Sequence, residues 1–239
     1  MRLIWNSRTT LGFTLVELAI VLVIIALLTS GLLMGITAQR ASAENSDAQR
    51  QLENIREALL GYAMANGRLP CPALANVANT AINAGVAPNP PCDNALQYGV
   101  VPWVTLGLPE SDPWGRRFTY FASSKFTAAL SGGAQASFTL ATGVAPDTAG
   151  LANIKDTAGS SANIASDLPA VVVSHGSKGA GAWLPDGNQV AGAANDELEN
   201  ANNNLTFVSR TPGETFDDLV TWIVPSILKS KMVAVGRLP

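Results

Sequence analysis

Residues 18–36 read LAIVLVIIALLTSGLLMGI, 19 positions without a charge and interrupted only by Thr29, Ser30, Gly31 and Gly35. A run this long and apolar predicts a helix able to span a bilayer. Extended back to Phe13, it reaches roughly 36 Å at about 1.5 Å per residue, against a hydrocarbon core of about 30 Å. The preceding segment, MRLIWNSRTTLG at 1–12, carries Arg2 and Arg8 and no acid. Positive charge beside the first apolar span holds that end in the cytoplasm and turns the rest of the chain outward.

Helical periodicity continues past the span. Ala48, Leu52, Ile55, Leu59 and Tyr62 recur every three or four residues, which predicts one apolar stripe. Glu44, Asp47, Arg50, Glu53, Arg56 and Glu57 fall on the other faces, with opposite charges three apart in Arg50/Glu53 and Glu53/Arg56. No proline occurs from Phe13 to Leu69, and Asn66-Gly67 supplies a C-terminal stop. The pattern predicts one helix from about residue 14 to 66, close to 80 Å long. Gly31 and Gly35 weaken it by up to about 1 kcal/mol each relative to Ala and also permit close helix packing.

Downstream the pattern turns to short β segments between turn residues. Strands are expected at Phe118–Ala122, Ser137–Thr142, Ala170–Ser174, Leu205–Ser209 and Leu219–Val224, with a short helix after Pro225. Asp112-Pro113-Trp114-Gly115 reads as a turn feeding the first strand, and 123–167, rich in Ala, Ser, Gly and Thr, as mostly loop. The fold class read from this is α+β: a long N-terminal α-helix, its first half membrane-spanning, packed on a small antiparallel β-sheet domain. The corresponding segments are 13–36, the membrane half; 37–66, the amphipathic half; and 67–239, the globular domain.

Composition sets limits on function. Of 239 residues 47% are hydrophobic and 14% charged, which excludes disorder as the dominant state. A net charge of −3, from 15 basic and 18 acidic side chains, offers no basic stripe for nucleic acid. The two cysteines, Cys71 and Cys92, lie beyond the span, in a compartment where a disulfide persists. They are expected to pair, closing a Pro-, Asn- and Ala-rich loop with a gain of about 3 kcal/mol.

Glu17 stands out. It lies within FTLVELAIVLV, where an ionised carboxylate left unpaired in lipid costs several kcal/mol. No Lys, Arg or His occurs between Arg8 and Arg40, so a cationic partner must come from elsewhere.

Leu11-Gly12-Phe13-Thr14-Leu15-Val16-Glu17, preceded by a short basic leader and followed by an uncharged span of about twenty residues, resembles the class III signal of type IV pilins and type II secretion pseudopilins. The resemblance implies a leader at 1–12 that a membrane-embedded prepilin peptidase removes by cutting between Gly12 and Phe13. The same enzyme then methylates the new amine of Phe13. It implies further that Glu17 faces the N-terminal amine of a neighbouring subunit during assembly. Such a pair cancels its desolvation cost at only one stagger of the subunits. The partners so implied are the peptidase, other pilin or pseudopilin subunits, an inner-membrane assembly platform and membrane lipid. The location so implied is a single pass of the inner membrane with a cytoplasmic N-terminus and a periplasmic C-terminal domain, then a periplasmic or extracellular filament.

Two other readings of the N-terminus remain. Ala41-Ser42-Ala43 resembles a signal-peptidase site, which would release a secreted soluble protein, although the apolar run exceeds an ordinary signal core. The other reading is a single-pass, membrane-anchored periplasmic ligand-binding protein.

Asp112-Pro113-Trp114-Gly115, then Tyr120, then Ser-x-Gly-x-x-Gly at Ser174 to Gly179 resembles the globular domain of major pseudopilins, in which a loop near the end binds calcium. No cofactor is assigned; calcium is the one ion the resemblance brings into question. The corresponding region, Gly179 to Asn204, offers Asp186, Asp196, Glu197 and Glu199, oxygen ligands suited to a hard cation. Lys178 stands where that family tends to have aspartate, the loop is longer, and a solvated acidic loop is the alternative.

An enzyme is not expected. Ser174-His175-Gly176-Ser177 contains the chain's one histidine, with no nucleophile elbow and no metal-ligand spacing. Asp217 and Asp218, if on a strand, would point to opposite faces.

Overall fold

The computed structural model describes residues 12–92 and 94–239, giving the backbone alone at 29–38, 94 and 95. Of the leader, only Gly12 falls within this range. The elements in chain order are α1 (Leu15–Asn66), β1 (Tyr98–Val100), α2 (Trp103–Leu106), β2 (Thr119–Ala122), α3 (Ser124–Thr127), β3 (Ala152–Lys155), β4 (Ala165–Leu168), β5 (Ala170–Ser174), α4 (Asn195–Glu199), β6 (Thr206–Val208), β7 (Leu219–Ile223) and α5 (Pro225–Ala234). The chain divides into two compact units, Met1–Ala43 and Glu44–Pro239, so the second part of α1 belongs to the larger unit. Among the described residues no helix is long and apolar enough to cross a membrane. The span expected at Leu18–Ile36 runs into 29–38, whose side chains lie outside the description.

The larger unit is α+β. Its main sheet is antiparallel throughout, in the order β1-β2-β5-β7. One face, formed by Tyr120, Ala122, Ala170, Val172, Leu219 and Ile223, packs on Leu52, Ile55, Leu59 and Ala63 of α1 and on Leu228 and Met232 of α5. The opposite face, with Phe121, Val171 and Val173, packs on Ile154, Leu168 and Phe207 of a second sheet, β4-β3-β6. The central strand β5 is therefore buried on both sides, which is why AVVVS reads as a continuous apolar run. The expected stripe on α1 is buried at Ala48, Leu52, Ile55 and Leu59; at its end Leu60 and Ala63 replace Tyr62, as a 3.6-residue repeat drifts around the helix.

Three sequence expectations require correction. Ser137–Thr142 is a turn: the Thr142 hydroxyl accepts from Thr139 N at 3.0 Å, and Thr142 N donates to the Thr139 carbonyl at 3.2 Å. Hydroxyl groups that close a local turn compete with a strand ladder. The segment 123–167 contains α3, β3 and the start of β4, elements of four residues each and too short to give a periodic signal. Arg50 pairs with Asp47 at 3.2 Å, whereas Arg56 pairs with Glu53 at 2.5 Å as expected.

Candidate functional site

The processing motif occupies the start of α1. Gly12, Phe13 and Thr14 precede the helix, and Phe13 is 85% exposed. Thr14 is the residue before the first helical turn, and its carbonyl accepts from Leu18 N at 3.1 Å. Its hydroxyl accepts from Glu17 N at 3.2 Å. In return Glu17 Oε2 accepts from Thr14 N and from the Thr14 hydroxyl, both at 3.0 Å. This reciprocal pair is a capping box, S/T-x-x-E, which satisfies donors that every helix N-terminus leaves open. Glu17 thus has local partners at the helix start that are not cations. Both bonds it accepts use one oxygen, Oε2.

Cys71 and Cys92 form a disulfide with Cα atoms 5.7 Å apart. The bridge is buried, and it ties the loop after α1 to the segment leading into β1.

The four acids expected as a calcium set do not converge. Asp186 accepts from Asn188 N and Nδ2, both at 2.9 Å, in its own turn, and these bonds hold its carboxyl below the usual range. Asp196 is held by Arg210 Nε at 2.9 Å and Ala158 N at 2.8 Å. Glu199 accepts from Asn202 and Asn204. Only Glu197 turns inward, and it meets Asp217 and Asp218: one ligand oxygen from each lies within 4.8 Å of the others.

Strand register explains this convergence. β5 and β7 run antiparallel with Ser174 opposite Leu219, so one more step places His175 by Asp218 and Gly176 by Asp217. Gly176 has φ 59°, and a Cβ there would run into the Asp217 backbone, so glycine is required at this approach. Ser177 Oγ donates to Asp217 Oδ2 at 3.0 Å, and Lys178 N donates to the same oxygen at 2.7 Å. Asn200, one residue past α4, donates to Asp218 Oδ2 at 2.8 Å while exchanging two bonds with the Val208 backbone, which positions Glu197 one turn earlier. The neighbouring Asp112-Pro113-Trp114-Gly115 turn is fixed by Asp112. Its carboxylate accepts from Trp114 N at 3.0 Å, Arg116 N at 2.9 Å and Ser174 Oγ at 2.8 Å. Arg116 in turn donates to the carbonyl of Gly176 at 2.6 Å and that of Lys178 at 3.2 Å.

His175 is fully buried, 2.8 Å from the Thr119 hydroxyl through Nε2, with Nδ1 facing Asp218 at 3.6 Å. Thr, His and Asp fall in line, yet Thr119 is only 7% exposed and its hydroxyl is taken by the ring. The arrangement offers a substrate no nucleophile. Burial, then the neighbouring Asp218 charge, pushes the Glu197 carboxyl up, and Lys178 opposes this in part. The acidic triad is the group of described residues able to hold a metal; its chemistry is oxygen ligation. Asp217 and Asp218 precede β7, so the alternation of strand faces does not separate them. The elements needed to find the site, strands at 170–174 and near 219–223, were both legible in the sequence, but their register was not.

No family model, no curated protein and no solved structure matches this chain.

Proposed function

We propose that this chain is a structural subunit of a type IV pilus-like or type II secretion pseudopilus filament. Prepilin peptidase cuts it after Gly12 and methylates Phe13, and it assembles through its apolar N-terminal helix. The observation that carries the reading is the coincidence, in one short stretch, of a basic leader, Gly12-Phe13, Glu17 and the uncharged run that follows. The exposed, non-helical backbone at Gly12 to Thr14 supports it, because a peptidase requires an extended peptide that it can reach. The Cys71–Cys92 bridge fits an oxidising compartment on the far side of an inner membrane crossed once by the first part of α1.

In this reading Glu17 has two tasks. Oε2 caps its own helix, and the second oxygen meets the methylated amine of a neighbouring subunit. The chain is a substrate of the peptidase and performs no catalysis itself.

The deciding experiment is the intact mass and N-terminal residue of the mature chain from cells with and without the peptidase. The reading expects a chain beginning at an N-methylated Phe13 only where the peptidase is present. A mature chain that keeps its first 12 residues overturns it, and one beginning at Glu44 favours a secreted protein released by signal peptidase.

A further inference from the structure

Across the β5–β7 pairing Ala170 lies opposite Ile223. The residues that lead into β5 and those that follow β7 therefore emerge at the same end of the main sheet. There Asp167, near the end of β4, and Ser226 and Lys229, on α5, line one open cavity of about 490 Å³. Leu140, Val144 and Pro225 give it an apolar wall.

Lys229 is only 8% exposed, and burial alone pushes its ammonium down, with no acid beside it to offset the cost. It sits early in α5, where positive charge gains nothing from the helix dipole. Among the described residues its one partner is the Leu140 carbonyl at 2.8 Å, and an ammonium has three donors to place. Asp147, which follows the 140–144 turn, is already held by Lys125 and Gly143 N. Asp167 is strained in its own way, with a left-handed φ of 59° in a residue other than glycine. Such strain gathers where a side chain is held toward a ligand. Among the described residues no hydrogen bond or ion pair reaches the Asp167 carboxylate or the Ser226 hydroxyl.

A cation and an anion that share a cavity without pairing leave two complementary charges for a guest. A lone anion suits Lys229 but meets Asp167, and a lone cation meets the reverse; a zwitterion satisfies both. We propose that this cavity binds a small α-amino acid with an apolar side chain. Lys229 takes its carboxylate, the Ser226 hydroxyl donates to the same group, and Asp167 accepts from its ammonium. The side chain lies on the wall of Leu140, Val144 and Pro225. Such a ligand needs few polar contacts beside an apolar lining, the usual division in small-molecule sites. This inference is independent of the filament reading, which rests on the N-terminus, so either can fail alone.

The test is calorimetric titration of the full chain in detergent with three probes of one size. They are L-leucine, L-leucic acid, which has a hydroxyl in place of the ammonium, and L-leucinamide, which lacks the carboxylate. The wild type binds L-leucine saturably and each analogue at least about tenfold more weakly, the scale of one lost hydrogen bond to a charged group. Asp167→Asn weakens L-leucine and abolishes its advantage over L-leucic acid. Lys229→Met weakens L-leucine and abolishes its advantage over L-leucinamide, a pattern that a merely structural role of either residue does not produce. Lys229→Met removes a desolvated charge and should fold as well as the wild type; should it fail to fold, the Asp167→Asn comparison decides alone. Absence of saturable L-leucine binding overturns the site. An analogue that binds the wild type as tightly as L-leucine overturns the zwitterion. An advantage that persists in the matching variant places that end of the ligand elsewhere and overturns the assignment.

Discussion

Glu17, near the start of the chain, and the Glu197/Asp217/Asp218 group, near its end, are the same functional group under opposite accounting. Glu17 is surrounded by apolar residues and has no cation nearby in sequence, yet its carboxylate is engaged by Thr14 through two bonds of 3.0 Å. The later group lies among Asn, Ser and Lys, where partners abound, yet each of its acids retains an oxygen with no hydrogen-bond partner. Polarity of the surrounding sequence is therefore a poor guide to whether a carboxylate is satisfied. What decides is whether a donor sits at the geometry that secondary structure imposes: i to i+3 at a helix start, or across an antiparallel register.

The largest expected effect separates Glu17's two tasks. Glutamine serves in a capping box as glutamate does, but it cannot neutralise an ammonium. Glu17→Gln is expected to leave the helix start and membrane insertion intact and to abolish incorporation into fibres, scored by sheared-filament yield against total membrane protein. Normal fibres from Glu17→Gln, with loss only in Glu17→Ala, would make the cap the residue's whole role and remove the intersubunit pair.

Asp112 provides the satisfied counterpart within the globular unit. Three donors converge on it, from Trp114 N, Arg116 N and Ser174 Oγ, so Asp112→Ala leaves them facing nothing and is expected to cost about 3 kcal/mol. Asp112→Asn retains acceptance through its carbonyl oxygen and should cost far less. Burial raises the Asp112 carboxyl above its usual range even against these bonds. The sign follows: a raised carboxyl in the folded state lends stability below the ordinary carboxylate range and loses it as pH rises through the raised value. The Asn variant should therefore compare worst with wild type in acid and gain on it as pH rises, which denaturant titrations across that range would reveal. A pH-independent difference would show that Asp112 is not penalised by burial.

Thr14→Ala comes next in size. It removes the hydroxyl half of the capping box and is expected to cost about 1 kcal/mol, read as faster amide exchange in the first turn of α1. Unchanged exchange there would show that Glu17 holds the turn alone.

The sequence carried these features unevenly, for physical reasons. Ala48, Leu52, Ile55 and Leu59 announced the helix face because burial on one side imposes a 3.6-residue period, and AVVVS announced a strand because it is buried on both. Four-residue strands such as β3 and β4 impose no period long enough to read, and Thr139 and Thr142 spend their hydroxyls on a turn inside an otherwise strand-like run. The disulfide was legible because two cysteines allow one pairing. The capping box is legible as Thr14-x-x-Glu17, but an acid in apolar surroundings calls first for a cation, and the hydroxyl three residues before it is the less conspicuous partner. Of the four acids close together along the chain, Glu197 alone joins the acidic group, while Asp186, Asp196 and Glu199 are engaged elsewhere, because nearness along the chain is not nearness in space. Asp217 and Asp218 come from a segment about twenty residues later, brought in by the β5–β7 pairing.

The smallest expected effect has the opposite sign to the rest, which gives it its discriminating power. Glu197→Gln keeps the shape of the side chain and removes one of three mutually repelling charges, at the loss of a 3.7 Å approach to a half-exposed lysine. An ion pair of that kind contributes little, at most about 1 kcal/mol, whereas charging a buried carboxyl beside Asp218 is unfavourable. The variant should therefore be as stable as wild type or slightly more stable, by up to about 1 kcal/mol, as read by denaturant titration. A structural salt bridge would produce the opposite order. If Glu197→Gln is instead the less stable protein by the margin expected for Asp112→Ala, the group is already satisfied and the contrast with Glu17 fails.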